Sequence, residues 1–390
     1  MPPAREMTRH AETIRDVNRE RILTALRDAG AASRAELEHA TGLSRGTVAS
    51  IVDDLLGEGV LRPQAVSRRS AKGRPPMRYG LASRVGLALV VDVGHRHIRV
   101  AVGDATGEIV AERFTPIAED RGPEKTLSTA RRMVAEVVAA GHEPQAVVLG
   151  LPTPVAANGR PATNTYSELD LADRIGVTGL PVLVMNDANL GALGESAFGA
   201  AHGLSDFIFL KMSGGVGAGI MLGGRLYRGS GGVAGDIAHV RVREAGDWCP
   251  CGNRGCLQTL VSLESLAATL RKSHPGLGHM EVPRILGSDD PDAERLVYTT
   301  GWVTGRALAG MVNLLNPGAI VVGGTLGAVG EPLLAGLRDS IRRYAQPSAA
   351  TGLQVQQAQR GERAEVFGGL AVAFGLAGDP SGRVPEPAVI

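Results

Sequence analysis

All three cysteines of this 390-residue chain fall within eight positions, at Cys249, Cys251 and Cys256, and this clustering constrains the fold more than any other feature. Three thiolates at that spacing, with the imidazole of His239 ten positions ahead, complete the Cys₃His set that Zn²⁺ takes in closed structural sites. Gly252 and Gly255 supply the turns the loop needs. The segment from Gly235 to Gln258 therefore predicts one structural zinc per chain. The alternative is three unrelated thiols near a core histidine, but a chain with so few cysteines would rarely gather them at ligand spacing by chance.

A domain built around such a loop needs much more chain than the loop itself. The 44% hydrophobic and 21% charged content suits a soluble globular protein of two or three domains. No apolar run reaches the ~18 residues of a membrane-spanning helix, and Met1 to His10 lack the apolar core of a signal peptide. With reduced, metal-bound thiols, this predicts a cytoplasmic protein. The net charge of +1 conceals an asymmetry: residues 1–84 hold 15 Arg and Lys against 10 Asp and Glu, and the rest 26 against 30. Nucleic acid is expected at the basic end.

Past a tail expected to be disordered to about Arg9, Val17, Ile22, Leu23 and Leu26 recur near helical spacing, and Gly30 ends that first helix. Ser33 and Glu36 form a capping box that opens a short helix over Arg34 to His39. Thr41-Gly42-Leu43 makes a tight turn. Ser44 caps a third helix, Arg45 to Gly57, with Val48, Ile51, Val52, Leu55 and Leu56 facing inward. Helix, three-residue turn, helix is the pattern of DNA-reading helix-turn-helix units, and Ser44, Arg45, Thr47 and Ser50 lie on or before the early face of its third helix. The basic loop that follows, with Arg68, Arg69, Lys72 and Arg74 between two short strands, reads as a wing. Arg74, within Gly-Arg-Pro, suits a narrow minor groove, and the other cations suit phosphates.

From Leu81 onward strands and glycines dominate. Leu87 to Val93, His97 to Val102 and Ile109 to Phe114 predict a β-meander, Leu127 to Ala140 an amphipathic helix, and Ala146 to Leu149 and Pro181 to Val184 two further strands. The last residues, 377–390, are expected to be disordered.

Gly235-Asp236-Ile237-Ala238-His239, followed ten positions after the histidine by the first of the three cysteines and then by Gln258, resembles the zinc motif of the ROK family, G-E-x-G-H and then C-x-C-G-x-x-G-C-x-E. That family contains bacterial sugar kinases and sugar-responsive repressors. The resemblance implies an α/β, two-lobed, actin-like (ribonuclease H-like) sugar-kinase fold behind the winged helix-turn-helix: residues 1–80 for DNA, 81–198 for a first lobe joined by a C-terminal helix near 365–376, and 199–364 for a second lobe with the zinc. It also implies that Asp236, His239 and Gln258 touch sugar hydroxyls, although Asp236 and Gln258 stand where the family has glutamate and Ala238 where it has glycine.

Asn186-Asp187-Ala188-Asn189, followed by Gly194-Glu195, resembles the family's sugar-binding segment, in which the aspartate is the kinases' catalytic base. Taken alone, these residues could equally cap a helix. Asn164 resembles a further sugar-contacting asparagine, and Thr153 stands where the family has glycine. The nucleotide side departs from the kinases. Asp92 and Gly94 are kept, but His95 and Arg96 replace the Gly-Thr that wraps phosphate, and Ser213-Gly214-Gly215 replaces Gly-Thr-Gly. Gly215-x-Gly217-x-Gly219 is no dinucleotide fingerprint, because an apolar strand rather than a helix follows it. Val321-Val322-Gly323-Gly324 resembles the adenosine-side loop.

The sequence thus predicts a transcriptional regulator, a repressor that is not an enzyme. It would bind an operator in double-stranded DNA as a homodimer or homotetramer and answer to a carbohydrate or carbohydrate phosphate. A sugar kinase with an added DNA-binding domain and a regulator governed by a protein partner are the alternatives.

Overall fold

The computed structural model describes residues 15, 17–19, 21–26, 29–57, 60–64, 77–81, 86–117, 122–278 and 281–376. The wing residues Arg68, Arg69, Lys72 and Arg74 and the tail 377–390 lie outside them. Among the described residues no helix is long and apolar enough to cross a membrane.

The N-terminal unit follows its local signals. Described residues between 15 and 29 are helical (α1), and Gly30 ends them at φ +66°. A two-residue strand β1 (Ala32–Ser33) leads into α2 (Arg34–Thr41), where Ser33 and Glu36 form the capping box and Gly42 closes the helix in the left-handed region. The recognition-type helix α3 spans Arg45–Gly57 and buries Val48, Ile51, Val52 and Leu55, while Leu56 is only half-buried. Strands β2 (Leu61–Gln64) and β3 (Arg78–Leu81) complete an antiparallel sheet in the order β1-β3-β2.

Two five-stranded sheets of the same plan follow. The first comprises β4 (Leu87–Val93), β5 (His97–Gly103), β6 (Ile109–Pro116), β7 (Pro144–Leu151) and β8 (Val182–Asn186), ordered β6-β5-β4-β7-β8. Its meander is antiparallel, while β7 and β8 run parallel to β4. Helix α4 begins at Pro123, four residues before the expected start, because proline suits a first helical turn, and it ends at Val138. The short helices α5 (Asn164–Ser167) and α6 (Leu171–Ile175) precede β8, and α7 (Asp187–Phe198) follows it directly.

The second sheet repeats this with β9 (Phe207–Met212), β10 (Val216–Leu222), β11 (Arg225–Tyr227), β12 (Ala319–Gly323) and β13 (Gln354–Gln357), ordered β11-β10-β9-β12-β13. Between β11 and β12 lie the cysteine loop, α8 (Gln258–Val261), α9 (Leu263–Leu270), α10 (Val282–Leu286) and the 25-residue α11 (Pro291–Leu315). Between β12 and β13 come α12 (Gly324–Gly327), α13 (Glu331–Tyr344) and α14 (Pro347–Ala350), and α15 (Ala364–Ala373) closes the described chain.

Side chains alternate across a strand, and both sheets use the two faces for different layers. Leu89, Val91 and Val93 of β4 join Leu127, Ala130, Met133 and Val134 of α4, whereas Ala88 and Val90 meet Val366 and Leu370 of α15. In β9, Ile208, Leu210 and Met212 face the layer of α9, α11 and α13, whereas Phe207 and Phe209 face α7. Helices α7 and α15 therefore lie between the two sheets, with Leu190, Leu193 and Ala364 sharing a core with residues of both. The expected mixed α/β, two-sheet architecture is what the chain adopts.

Candidate metal centre, ligand cleft and DNA-reading helix

The cysteine loop is built by glycine turns. Gly252 sits at φ +89° and Gly255 at φ +68°, and a Cβ on Gly255 would lie 2.0 Å from the carbonyl oxygen of Arg243. The Cys249 N–H donates to Asn253 O (2.8 Å) and the Gly252 N–H to Cys249 O (2.9 Å), while antiparallel bridges pair Arg241 with Cys256 and Trp248 with Arg254. His239 ends a short 3₁₀ turn, Ile237–His239. Its Nδ1 lies 3.4 Å from Cys249 Sγ, and Cys251 Sγ lies 3.7 Å from Cys256 Sγ. The four donor atoms all fall within 4.8 Å of one another, so the predicted quartet comes together as a group able to hold a metal ion. The backbone N–H of Asn253 holds the Cys251 thiol down to about 7, and burial pushes Cys256 up to about 12. A cation that takes all three thiolates must therefore displace a proton from Cys256 above all.

Asp236 and the start of α7 are brought together by β10. A Cβ on Gly235 would lie 1.9 Å from Ala218 O, one on Gly219 2.5 Å from Ala188 O, and one on Gly217 3.2 Å from the Ala188 side chain. The glycines at 217 and 219 lie inside β10, which starts at Val216, so the strand does not merely follow them. Their missing side chains let α7 pack directly on the strand, which is their structural use, and the missing side chain of Gly235 lets its turn do the same. Asp236 Oδ1 lies 3.9 Å from His239 Nε2, the ring nitrogen turned away from the cysteines.

Asn186 and Asp187 open α7. The Asn186 Oδ1 accepts from the Asn189 N–H (3.1 Å), as a helix cap does, and its Nδ2 donates to Thr153 O (3.2 Å). The Thr153 hydroxyl pairs with that of Thr163 at 2.7 Å, directly before Asn164, the first residue of α5. Gln258 opens α8 beside the Ser213–Gly215 loop, its Oε1 3.7 Å from where a Cβ on Gly215 would sit.

Asp187 has a partner that sequence reasoning missed. Its Oδ2 is 2.9 Å from Lys211 Nζ, which is also 2.8 Å from Glu365 Oε1. Burial alone would lower the Lys211 pKa, but Asp187, Glu365 and Asp92 outweigh it and raise it. Burial raises Glu365 despite Lys211. For Asp92, burial works upward, yet Lys211 and the hydrogen-bonded His97 (2.8 Å) hold the carboxyl below its ordinary value. The sequence signal was a single charge in an apolar run: Lys211 in Phe207–Met212 and Glu365 in Ala364–Ala373.

The glycine loops at Gly94 and Ser213–Gly215 are filled by imidazole. A Cβ on Gly214 would lie 2.8 Å from His95 Cβ, one on Gly215 2.6 Å from His95 Nε2, and one on Gly94 2.3 Å from the His97 ring. Beyond them a cavity of about 240 Å³ is lined by Phe114, Ile117, Leu263, Val282 and Thr325, with Lys211 at one side. Gly324 has φ +78°, and a Cβ there would lie 2.5 Å from Met212 O, so close backbone packing accounts for glycine at this strand end.

On α3, Ser44, Arg45 and Ser50 are exposed, whereas Thr47 is half-buried. The Ser44 Oγ accepts from the Thr47 N–H at 3.3 Å and lies 2.9 Å from its hydroxyl, so the two hydroxyls engage each other at the helix start. Arg34 and Asp53 link α2 to α3, and Arg15 and Asp54 link α1 to α3.

The ROK family model matches residues 88–375, and a model described as winged helix-turn-helix DNA-binding matches residues 15–62. The xylose repressor of Caldicellulosiruptor bescii is 25% identical over 93% of this chain and 96% of its own length. A crystal structure of a ROK family transcriptional regulator, a homologue of the E. coli MLC protein, superposes with a TM-score of 0.74 over 93% of this chain and 96% of that one, at 23% identity, which shows a shared fold. A ROK family glucokinase from Streptomyces griseus, solved with glucose and AMPPNP, is 29% identical with a TM-score of 0.65, over 75% of this chain and 99% of that one.

Proposed function

Because the chain belongs to the ROK family, we propose that it is a DNA-binding transcriptional regulator, a repressor of carbohydrate genes whose operator affinity is set by a sugar or sugar phosphate in the cleft. The observation that carries this reading is the joining, in one chain, of a helix-turn-helix with an exposed Arg45 to a domain that the ROK family model matches. Residues 1–80 bind DNA, with Ser44, Arg45, Thr47 and Ser50 at the bases and Arg68, Arg69, Lys72 and Arg74 of the wing at phosphates and the minor groove. Residues 81–198 with α15, and 199–364, form the two lobes. The protein works in the cytoplasm as a homodimer or homotetramer, since paired recognition helices read palindromic sites.

One structural Zn²⁺ per chain sits on His239, Cys249, Cys251 and Cys256. A tetrahedral ion with Zn–S bonds of about 2.3 Å sets two sulfurs about 3.8 Å apart, and the 3.7 Å between Cys251 and Cys256 suits it. The cation would cross-link the loop and fix the His239 ring, leaving Nε2 for a ligand hydroxyl. Asn164, Asn186, Asp187, Asp236, His239 and Gln258 are the proposed sugar ligands. Asp236 is one methylene shorter than the family's glutamate, and Gln258 donates as well as accepts, so the preferred hydroxyl pattern differs from that of the kinases.

Phosphoryl transfer is not the role proposed. A base must be free to accept the hydroxyl proton, and Lys211 pairs with Asp187 instead. Positioned phosphates are also required, and His95 and His97 stand in the glycine loops that would wrap them. Calorimetry with D-xylose, D-glucose and their phosphates tests the reading. Binding by the zinc-loaded protein, lost in Asp187→Ala, is expected; no heat with any of them moves the effector to a protein partner.

A further inference from the structure

Four buried ionisable groups from four different elements meet at the start of α7. Lys211 lies near the end of β9 on the face of Phe207 and Phe209, and Asp92 near the end of β4 on the face of Ala88 and Val90. Asp187 and Glu365 stand in the first turns of α7 and α15. Their exposures are 5% for Lys211, 0% for Asp92, 6% for Asp187 and 2% for Glu365. Lys211 Nζ touches one carboxylate from each helix, at 2.9 Å and 2.8 Å, and is the one cation bonded to both among the described residues.

The two helices are also joined along their length, by backbone rather than side chains. A Cβ on Gly194 of α7 would lie 2.0 Å from Ala364 O, and one on Gly368 of α15 would lie 1.9 Å from Leu190 O. Surfaces this close do not slide independently, because packed interiors have little room for adjustment. At the far ends, Ala197 of α7, Ala371 of α15 and Leu376 belong to the same apolar core as Ile22, Leu23 and Leu26 of α1, and Phe198 and Phe374 pack against it. Near the end of α7, Glu195 accepts N–H bonds from Ala200 and, just ahead of the start of α15, from Gln359 and Arg360. The two helices thus share Lys211 at their starts and end in the apolar core that holds α1.

We propose that Lys211 is a positioning residue that locks α7 to α15, so that whatever engages Asp187 shifts both helices together against α1 of the winged helix. The lock uses residues of the cleft but needs no ligand to exist; only its use in signalling rests on the effector reading above. Removing one partner of a buried pair leaves an uncompensated charge, which makes Lys211→Met prone to unfold. Glu365→Gln is the milder variant: it keeps the Lys211–Asp187 pair and weakens the tie to α15.

The test uses full-length, zinc-loaded protein. Hydrogen exchange is followed in α1 and, as a distant control, in α13, alongside affinity for a duplex selected by the unmodified protein from a random library. In Glu365→Gln, α1 exchange is expected to rise and duplex affinity to change about fivefold or more, with α13 exchange and any D-xylose or D-glucose affinity unchanged. Lys211→Met, if folded, should do the same more strongly. Unaltered α1 exchange in Glu365→Gln, or an equal rise in α13, would overturn the lock. Failure of the unmodified protein to bind either sugar or its phosphate would sink the effector reading alone, and the exchange result would still decide the lock.

Discussion

Two glycine-to-alanine substitutions, both in helix interiors, should move stability in opposite directions. Gly194 of α7 has no room: its added Cβ would sit 2.0 Å from Ala364 O and 2.8 Å from the Gly368 backbone nitrogen. A carbon and a carbonyl oxygen need about 3.3 Å, so α7 and α15 would have to part by roughly 1.3 Å. The obstacle is backbone, which cannot change rotamer, and overpacking of this kind costs about 1–3 kcal/mol or more. Alanine's better helix propensity returns at most about 1 kcal/mol, so a net loss of about 2 kcal/mol is expected. Gly310 of α11 is exposed and nothing lies within 4 Å of its added Cβ. There only the propensity acts, and Gly310→Ala should gain about 0.5–1 kcal/mol. Urea unfolding followed by helical circular dichroism, at fixed zinc, reads both. A Gly194→Ala midpoint equal to that of the unmodified protein, or both variants moving the same way, would refute the claim that the two helices meet through their backbones.

Three further outcomes are expected. Cys251→Ser should lose the metal and unfold the loop, with about one zinc per chain in the unmodified protein by elemental analysis; zinc-free protein purified without chelator would contradict the site. Arg45→Ala should cost about 1–3 kcal/mol of duplex affinity and relax base preference at one position, whereas loss of one wing cation should weaken all sequences alike and lower the salt slope by about one; a chain lacking residues 1–80 that still binds the duplex would refute both. ADP release with D-glucose or D-xylose and ATP should stay at background, and turnover well above it would show that Asp187 is free to act as a base.

The helix-turn-helix was legible because its signals are local. Ser33 with Glu36, Gly42 and Ser44 each fix a backbone angle or satisfy a helix end within a few residues, and the observed α2 and α3 follow them. The gathering of His239 with the three cysteines was legible for a related reason: three of the four lie on one short loop, so spacing nearly fixes geometry. The first sheet's meander was equally plain in its alternating apolar runs.

What the sequence could not determine was which side chains from distant segments would meet. Lys211, Asp187, Glu365 and Asp92 are separated by up to 273 positions and converge only because two repeated sheets place the ends of β4 and β9 against the starts of α7 and α15. Asn186 and Asp187 carried both a capping and a ligand reading in the sequence; the structure gives Asn186 a cap bond and Asp187 a buried cation. Gly217 and Gly219, which form no dinucleotide fingerprint, serve helix packing; Gly194, read only as part of the family's Asn-Asp-Ala-Asn segment, turns out to be a close-packing site, and Gly368 gave no signal. Local chemistry determined the elements and the cysteine loop, because bond rotation and hydrogen bonding act over a few residues. Charge pairing and close packing depend on separations in space, and those only the tertiary structure decided.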